Sequence, residues 1–299
     1  MNTDGNSVQP SAYPGIFNSA DAGSVAAQKW YLLLCALRLI SLVSVAAVAA
    51  FAILLDGWAP TIVIVPISVA VTSEIILLTL RPDCRWHQCR TVAETAKTLA
   101  WRYQVGGRPF PRTEHHSQDI DSAFVSQIQD LVRRFSDAGL PPARNDQVTS
   151  AMRDLRSLSL EDRKSAYLSG RLQVQMNWYA NKADWNRRRG YVLQIGLVVV
   201  ELGALGTAVW GMASGNNLAI YSLLAGIAMA AIGWIQIRQH GSLANAYSIA
   251  SHDLASICAT IDSVSDDANW ADYVGDSEDI ISREHTVWVS SRFERFSLG

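Results

Sequence analysis

The chain lacks the residue patterns on which most enzymes depend. Its 299 residues include only 4 cysteines and 6 histidines, and no Ser/His/Asp set or carboxylate cluster appears outside its apolar segments. Gly106 and Gly107 precede a Pro-Phe-Pro sequence that fits neither a phosphate-binding loop nor a dinucleotide-binding turn. We therefore expect no enzyme and no cofactor.

The sequence also offers little for a metal ion. Cys84 and His87 are spaced to share one face of a helix, but Cys89 points elsewhere. A structural zinc site needs four ligands, and no fourth is evident. We expect no metal here and reduced thiols, as is usual in the cytoplasm.

Charged residues make up only 17% of the chain, whereas hydrophobic residues make up 49%. Four apolar runs account for the excess: 39–55, 62–80, 191–213 and 218–237. Each is close to the ~20 helical residues that cross a bilayer, and in lipid a helix satisfies every backbone group within the segment. Short connectors join the runs in pairs. The sequence predicts an all-α membrane protein with two transmembrane hairpins, long cytoplasmic helices and no sheet.

The distribution of charge predicts the topology. Of 25 Lys and Arg residues, 19 lie between Arg81 and Arg189, and neither hairpin tip carries one. Because cytoplasmic loops are enriched in Lys and Arg, both termini and the long connector are predicted to be cytoplasmic, in a multi-pass protein of the inner (cytoplasmic) membrane. Residues 81–190 carry +7 and residues 239–299 carry −7, so the two regions can dock. Attraction to anionic lipid headgroups is the alternative role for the basic region.

We divide the chain into a disordered tail at 1–24 and two membrane units at 25–158 and 159–299. The sequence Ser159-Leu-Glu-Asp162 resembles a helix cap, and no strong helix breaker follows it before the third run ends. A last helix is predicted to start at Asp276 or Ser277. After the fourth run, apolar residues alternate spacings of four and three, which suits a coiled coil or ordinary packing within the chain; they are Leu243, Tyr247, Ala250, Leu254, Ile257 and Ile261.

A stripe of polar and aromatic residues precedes the third run. Its members recur every three or four positions and so share one helix face: Tyr167, Arg171, Gln175, Trp178, Lys182 and Asn186, with Tyr179 beside them. Such a stripe suits a hydrogen-bonded interface between helices. A basic site for an anionic ligand is the second possibility.

Two further stretches complete a familiar pattern. After the first hairpin come Glu94, Lys97, Trp101 and Arg102, and near the end come Arg283, Glu284 and Trp288. Together with the stripe, they resemble the SLATT family, the two-transmembrane effector domains associated with bacterial nucleotide second-messenger systems. The resemblance covers residues 25–295 and implies two SLATT domains in tandem, the stripe being its most specific part.

The resemblance implies an oligomeric pore or channel effector of a bacterial conflict or antiviral system, gated through its cytoplasmic helices. The chain carries no recognisable sensor, nucleotidyltransferase or nuclease domain, so a signalling partner would supply the signal, or residues 104–165 would receive it. No nucleic acid is expected to bind. A non-conducting membrane scaffold or sensor for cytoplasmic partners is the alternative. A small secondary transporter ranks third, because the discontinuous half-helices of such proteins are not evident.

Two carboxylates and one amide that bear on function lie inside the apolar runs. Glu201 is at the midpoint of the third run, Gln194 is seven residues earlier on the same face, and Glu74 is in the second run. Ionisable residues in spans usually face a bundle interior or a water-filled path. Glu201 therefore either hydrogen-bonds between helices or lines a path for cations or protons. Because a four-helix bundle fills its own centre with side chains, conduction requires a homo-oligomer.

Overall fold

The computed structural model describes residues 13–112, 117–215 and 219–293, except for the side chains of 117, 118 and 283–293. This part of the chain is helical and contains no strand. The α-helices are α1 (Gly15–Ala50), α2 (Ala59–Ile62), α3 (Ile64–Leu80), α4 (Pro82–Val105), α5 (Ser117–Arg134), α6 (Ser150–Ser157), α7 (Leu160–Tyr167), α8 (Gln173–Ser214), α9 (Ile220–Arg238), α10 (His240–Thr260) and α11 (Asp267–Phe293). Four of the helical stretches are long and apolar enough to cross a membrane. The predicted all-α membrane fold is confirmed.

The described chain forms two compact units that do not follow the two halves of the sequence. The first unit contains the described parts of Met1–Ala27, Cys84–Ala183 and Asn245–Gly299. The second contains Gln28–Asp83 and Asp184–Ala244, and all four apolar runs fall within it. The first unit therefore brings together segments that are far apart in sequence, and each half of the chain contributes to both units.

The prediction of a disordered tail over 1–24 is wrong for its second part. Helix α1 begins at Gly15, whose N–H donates to the carbonyl of Asp146 at 3.0 Å. Tyr13, Ile16 and Ala20 are buried in the core of the first unit. Ile16 and Ala20 are four residues apart and share one face of α1, and Tyr13 lies just before the helix, so a few buried apolar residues hold this segment. Residues 1–12 lie outside the described part.

The core of the first unit draws on helices from the whole chain. Helix α4 contributes a buried stripe that includes Val92, Ala96 and Tyr103, and α5 packs Phe124 and Ile128 into the same cluster. The connector after α4 is held by Arg156, whose guanidinium donates to the carbonyls of Tyr103, Phe110 and Pro111. These bonds satisfy acceptors at and beyond the end of α4, where helical partners are missing.

Two predictions about the C-terminal helices need correction. Helix α11 starts at Asp267, well before the predicted Asp276, because the Asp266 carboxylate accepts hydrogen bonds from the N–H groups of Ala268 and Asn269. The apolar stripe of α10 is not available for a coiled coil between copies. Ala250, Leu254, Ile257 and Ile261 on that stripe are buried within the same chain.

A continuous helical stretch runs from Leu160 to Ser214, as the sequence predicted. The predicted cap is present, since the Ser159 side chain accepts a hydrogen bond from the Asp162 N–H at 3.2 Å. One π-helical turn, Leu168–Leu172, separates α7 from α8. Such turns insert an extra residue into a helix and often occur at functional sites.

In the second unit, small residues let the membrane helices approach closely. A side-chain Cβ at Gly226 would meet Ala46 at 2.7 Å, and one at Gly233 would meet Leu39 at 3.3 Å. Helix α9 therefore packs directly against α1. A Cβ at Gly203 of α8 would lie 3.6 Å from the side chain of Leu224 of α9. Such close contacts are the usual basis of helix association in lipid.

An ion pair joins the two helices of the first hairpin. The guanidinium of Arg38 on α1 bonds the carboxylate of Glu74 on α3. Arg38 lies one residue before the first apolar run and so outside the span that hydropathy predicts. Glu74 is thus engaged with another helix of its own unit, so its charge is compensated.

We expect Arg38 and Glu74 to depend on each other for stability. Arg38→Met or Glu74→Gln alone leaves one charge uncompensated beside the hydrocarbon, whereas the double variant leaves none. A double-mutant cycle on thermal unfolding in lipid nanodiscs should give a coupling free energy of about 0.5–3 kcal/mol, the range for side chains in direct contact. Additive effects of the two substitutions would show that the pair contributes no interaction.

Candidate functional site

A fully buried carboxylate organises the first unit. The Glu278 side chain on α11 is 0% exposed and that of Arg171 is 1% exposed. Arg171 makes a two-pronged contact: its Nε lies 2.9 Å from Oε1 of Glu278 and its Nη2 lies 2.7 Å from Oε2. Tyr167 donates to Oε1 at 3.0 Å, and Thr98 of α4 donates to Oε2 at 2.9 Å. We call these four residues the Glu278 cluster.

The charges of this cluster are fixed by their surroundings. Arg171 and Tyr167 lie before the apolar run 191–213 and so outside the membrane-spanning segments. Burial is the largest single influence and lowers the pKa of Arg171, but the Glu278 charge, its hydrogen bonds to Arg171 and the nearby tyrosines together raise the pKa more, so the guanidinium stays charged. Burial, followed by the Glu278 charge, raises the pKa of Tyr167 well above its usual value. Tyr167 is therefore a neutral hydrogen-bond donor at any physiological pH.

The π-helical turn shapes the helix around this cluster. Arg171 lies within the turn, and Gly170 lies beside the ring of Trp101 from α4. A Cβ at Gly170 would come within 3.0 Å of that ring, so a glycine is needed for the two helices to approach. Trp101 is itself buried, and its indole N–H donates to the hydroxyl of Tyr13 at 3.3 Å.

Three more arginines of the basic region form ion pairs with the acidic C-terminal helix. Arg102 bonds Asp279 at 2.7 Å, and Arg108 bonds Asp276 at 2.8 Å. Arg163, whose side chain is 0% exposed, bonds Asp267. Together with the Arg171–Glu278 pair, they connect region 81–190 with region 239–299. The docking of opposite charges that the sequence suggested is thus present in the structure.

The remainder of the stripe faces α4 and α10. The rings of Trp178 and Tyr179 lie 5.4 and 5.7 Å from the ring of Tyr247. Burial, then the Glu94 charge, raises the pKa of Tyr179 to about 12, and Gln175 hydrogen-bonds its side chain. The ammonium of Lys182 lies 5.6 Å from the centre of the Trp178 ring. This part of the stripe is an inter-helix contact rich in aromatic rings.

The other predicted site residues are dispersed. Asn186 bonds the ring of His240 at 2.7 Å within the second unit. Glu94 bonds Arg90 at 2.5 Å, and Lys97 is half-buried on the same helix. Arg283, Glu284 and Trp288 continue helix α11, but their side chains lie outside the described part.

Within the membrane segments, two predicted residues are exposed. Glu201 and Gln194 both lie on the surface of α8, with the exposed Val198 between them. No ion pair of Glu201 is present among the described residues. A carboxylate at the midpoint of a span is costly in lipid and calls for a polar or aqueous neighbour. Gln194 and Glu201 therefore place two polar side chains on the exposed surface of a membrane span.

Sequence reasoning missed Glu278 and Thr98. Region 239–299 is acidic as a whole, and nothing in the local pattern distinguishes Glu278 from its neighbours. Helical spacing offers the one available signal: Val274, Ser277, Glu278 and Ile281 share a face, and all four are buried. A charged residue on an otherwise buried face points to a charge partner.

Removing the Glu278 charge should destabilise the first unit. In Glu278→Gln, Arg171 keeps its charge without an anion, and breaking a buried pair in this way costs about 3–5 kcal/mol. The unfolding of the full chain in detergent, followed by circular dichroism, measures the change. The neighbouring substitution Asp279→Asn is the matched control, because Asp279 is 58% exposed and exposed pairs contribute about 0–1 kcal/mol. Equal effects of the two variants would contradict the role of Glu278.

Comparison with known families accounts for nearly the whole chain. The SMODS and SLOG-associating 2TM effector domain 3 (SLATT_3) matches residues 14–164, and effector domain 1 (SLATT_1) matches residues 167–288. The first match begins before residue 25, in agreement with the ordered start of α1. No curated protein and no solved structure matches the chain. The Glu278 cluster joins the two matched regions, since Thr98 lies in the first and Tyr167, Arg171 and Glu278 lie in the second. The chain belongs to the SLATT family and carries two of its two-transmembrane effector domains in tandem.

Proposed function

We propose that this protein is a membrane effector that forms a homo-oligomeric pore, as part of a bacterial conflict or antiviral system. Family membership supports the effector role, since both matched domains are described as two-transmembrane effectors. The pore itself rests on one observation, the exposed Glu201 at the midpoint of the span formed by α8. The chain is not proposed to be an enzyme.

The proposed pore follows from the surroundings that the exposed Glu201 carboxylate requires. An exposed carboxylate in the middle of a span has three possible neighbours: lipid, water or another polar surface. Lipid is the least favourable of them. When copies of the chain assemble through the Glu201 and Gln194 stripe, each carboxylate is removed from lipid and the carboxylates form a ring. A ring of acidic side chains in a pore favours cations.

The first unit is proposed to control the opening of the pore. Helix α8 contributes Gln173–Ala183 to the first unit and Asp184–Ser214 to the second, so a change in the first unit reaches the span through a continuous backbone. A signalling partner acting on the first unit would therefore bias the pore. This coupling requires a second arrangement of the same helices.

We place the protein in the inner membrane with both termini and the first unit in the cytoplasm. The 19 basic residues between Arg81 and Arg189, and the uncharged second tip, support this orientation.

A reporter assay tests the orientation. Alkaline phosphatase is active only in the periplasm, so a fusion after Gly299 should be inactive and a fusion inside the first hairpin tip, after Gly57, should be active. The reverse pattern would refute the orientation.

Substitutions of Glu201 test the pore. Glu201→Gln keeps the volume and hydrogen bonding but removes the charge, and we expect cation flux from liposomes to fall by about tenfold, which corresponds to ~1.4 kcal/mol in the barrier. Glu201→Lys should suppress cation flux further or shift selectivity to anions. Val209→Gln, at an exposed position on the same helix, is the matched control and should leave ion selectivity unchanged.

The same variants distinguish the pore from a non-conducting scaffold. If wild-type liposomes show no flux, or if the protein is strictly monomeric in lipid, the pore proposal is wrong. If Glu201→Gln conducts normally while Glu201→Leu dissociates the oligomer, the carboxylate serves assembly alone. The scaffold then becomes the better description.

A further inference from the structure

Two arginines of the second unit lie directly beside its apolar runs. Arg189 is two residues before the third run, and Arg238 is the first residue after the fourth. Both therefore lie at the end of the second hairpin that is opposite its tip. Within the part of the chain that the structure describes, neither arginine forms an ion pair. Two positive charges thus stand at a membrane boundary without a described counter-charge.

The packing of α8 against the start of α10 brings the two arginines together. Gly190 follows Arg189, and a Cβ at Gly190 would lie 3.4 Å from the Cβ of His240. His240 is two residues beyond Arg238, and its ring lies 5.6 Å from the ring of Trp185. The Arg189 guanidinium lies 4.6 Å from the centre of that same Trp185 ring. The segments that carry the two arginines are therefore in direct contact.

The two positive charges act on each other and on the nearby imidazole. Burial, and after it the Arg189 charge, lowers the pKa of Arg238, which follows the fourth run. Burial, followed by the Arg238 and Arg189 charges, lowers the pKa of His240, so the imidazole adds no third charge at neutral pH. Like charges that are held close together repel each other, and a bound anion removes this repulsion. The arrangement therefore favours an anion beside the two guanidiniums.

An indole ring supports each guanidinium. Arg189 lies over Trp185, and the Arg238 guanidinium lies 5.9 Å from the centre of the Trp234 ring. A guanidinium that lies over an aromatic ring keeps N–H groups along its edge for other partners. These donors form a planar fork that matches two oxygens of a phosphate group. The aromatic contacts thus hold the donors in place for an anion of this shape.

The surface next to Arg189 is apolar. Tyr191, Val192 and Ile195 follow it along α8, and all three side chains are exposed. They belong to the third run, so the hydrocarbon chains of lipids cover them in a bilayer. A ligand that fits both the arginines and this surface has a negatively charged phosphate joined to acyl chains. A soluble anion would contact the arginines alone.

Other arginines of the chain have acidic partners and differ in this respect. Four of them form ion pairs with α11, namely Arg102, Arg108, Arg163 and Arg171. Arg187 lies 3.7 Å from Asp184 on its own helix. It also points to a different side of α8 from Arg189, since consecutive residues of an α-helix are about 100° apart. Docking of α11 therefore uses other arginines than the two at the end of the second hairpin.

We infer that Arg189 and Arg238 form a binding site for an anionic phospholipid. Its phosphodiester lies between the two guanidiniums, and its acyl chains lie along the exposed face of α8 that begins at Tyr191. The lipid supplies the negative charge that no described acidic residue supplies there, as basic sites between membrane helices do for lipid headgroups. The inference requires that the second hairpin spans a bilayer, but it depends neither on conduction nor on the orientation of the termini.

Native mass spectrometry of the full chain tests the lipid site. The protein is released from micelles that contain equal amounts of phosphatidylglycerol, which carries one negative charge, and phosphatidylcholine, which is neutral overall. We expect the chain to retain one phosphatidylglycerol with about tenfold preference, which corresponds to ~1.4 kcal/mol. Equal retention of the two lipids, or no retention of phosphatidylglycerol, would overturn the inference.

Substitutions separate a site from the general attraction of a basic surface. Arg189→Gln and Arg238→Gln should each weaken retention of phosphatidylglycerol about tenfold, again ~1.4 kcal/mol. Arg187→Gln removes the same charge from the same turn of α8 and is the matched control, so it should retain the lipid like the wild type. Arg189→Lys keeps the charge but lacks the planar fork and should still weaken retention. Equal losses in all three Gln variants would show that surface charge alone attracts the lipid, which contradicts the inference.

A soluble anion distinguishes the phospholipid from free phosphate. Glycerol 3-phosphate carries the phosphate without acyl chains, and at millimolar concentration it should not displace the bound lipid. Displacement would show that the arginines take a soluble anion, and the assignment to a phospholipid would be wrong.

The exposed arginine keeps the test decisive if one variant does not fold. Arg238 is half-buried, whereas Arg189 is exposed. If Arg238→Gln does not fold, wild-type retention in Arg189→Gln is sufficient to overturn the inference. Lipid retention is measured in micelles without any ion flux, so failure of the lipid site and failure of the proposed pore give different results.

Discussion

The architecture of the first unit depends on one buried carboxylate. A charge as fully enclosed as that of Glu278 is tolerable only when all its acceptor positions are used, and Arg171, Tyr167 and Thr98 use them. Two of these residues come from the stripe before the third run and one comes from α4. Satisfying a single side chain therefore fixes the positions of three helices. The ion pairs of Arg102 with Asp279 and of Arg108 with Asp276 are more exposed to solvent. They orient α11 but contribute little to the free energy of unfolding.

The contrast between local and non-local information explains what the sequence predicted well. Apolar runs and the Ser159 cap are local signals, and each led to the correct helix. The partner of a buried charge is non-local: Glu278 is 107 residues from Arg171 and 180 from Thr98. Spacing within one helix identifies a face but not the residue opposite it. The early start of α11 was missed because Asp266 forms a cap without the usual acidic residue three positions later.

In the second unit, the sequence alone predicts one contact between residues that are far apart along the chain. Arg38 and Glu74 each lie 18 residues from Asp56 at the hairpin tip. In an antiparallel hairpin, equal distances from the turn place residues at the same depth, and opposite charges at the same depth predict a pair. Glu201 has no such counterpart in the second hairpin, since its mirror position across the tip is apolar. The sequence therefore predicts that Glu74 is paired within its hairpin and that Glu201 is not.

The division of the first unit among three separate segments has a consequence for synthesis of the protein. Ribosomes synthesise α4 and the stripe before both the fourth run and α11, so the acidic residues of α11 emerge later than their basic partners. Until then Arg163 and Arg171 lack their anions, and the core lacks Trp270 and Val274. Both hairpins can therefore enter the membrane while the rest of the chain is still open. Helix α11 completes the core and the ion pairs of the first unit. A chain that ended before Asp267 would therefore insert into the membrane but could not assemble its first unit.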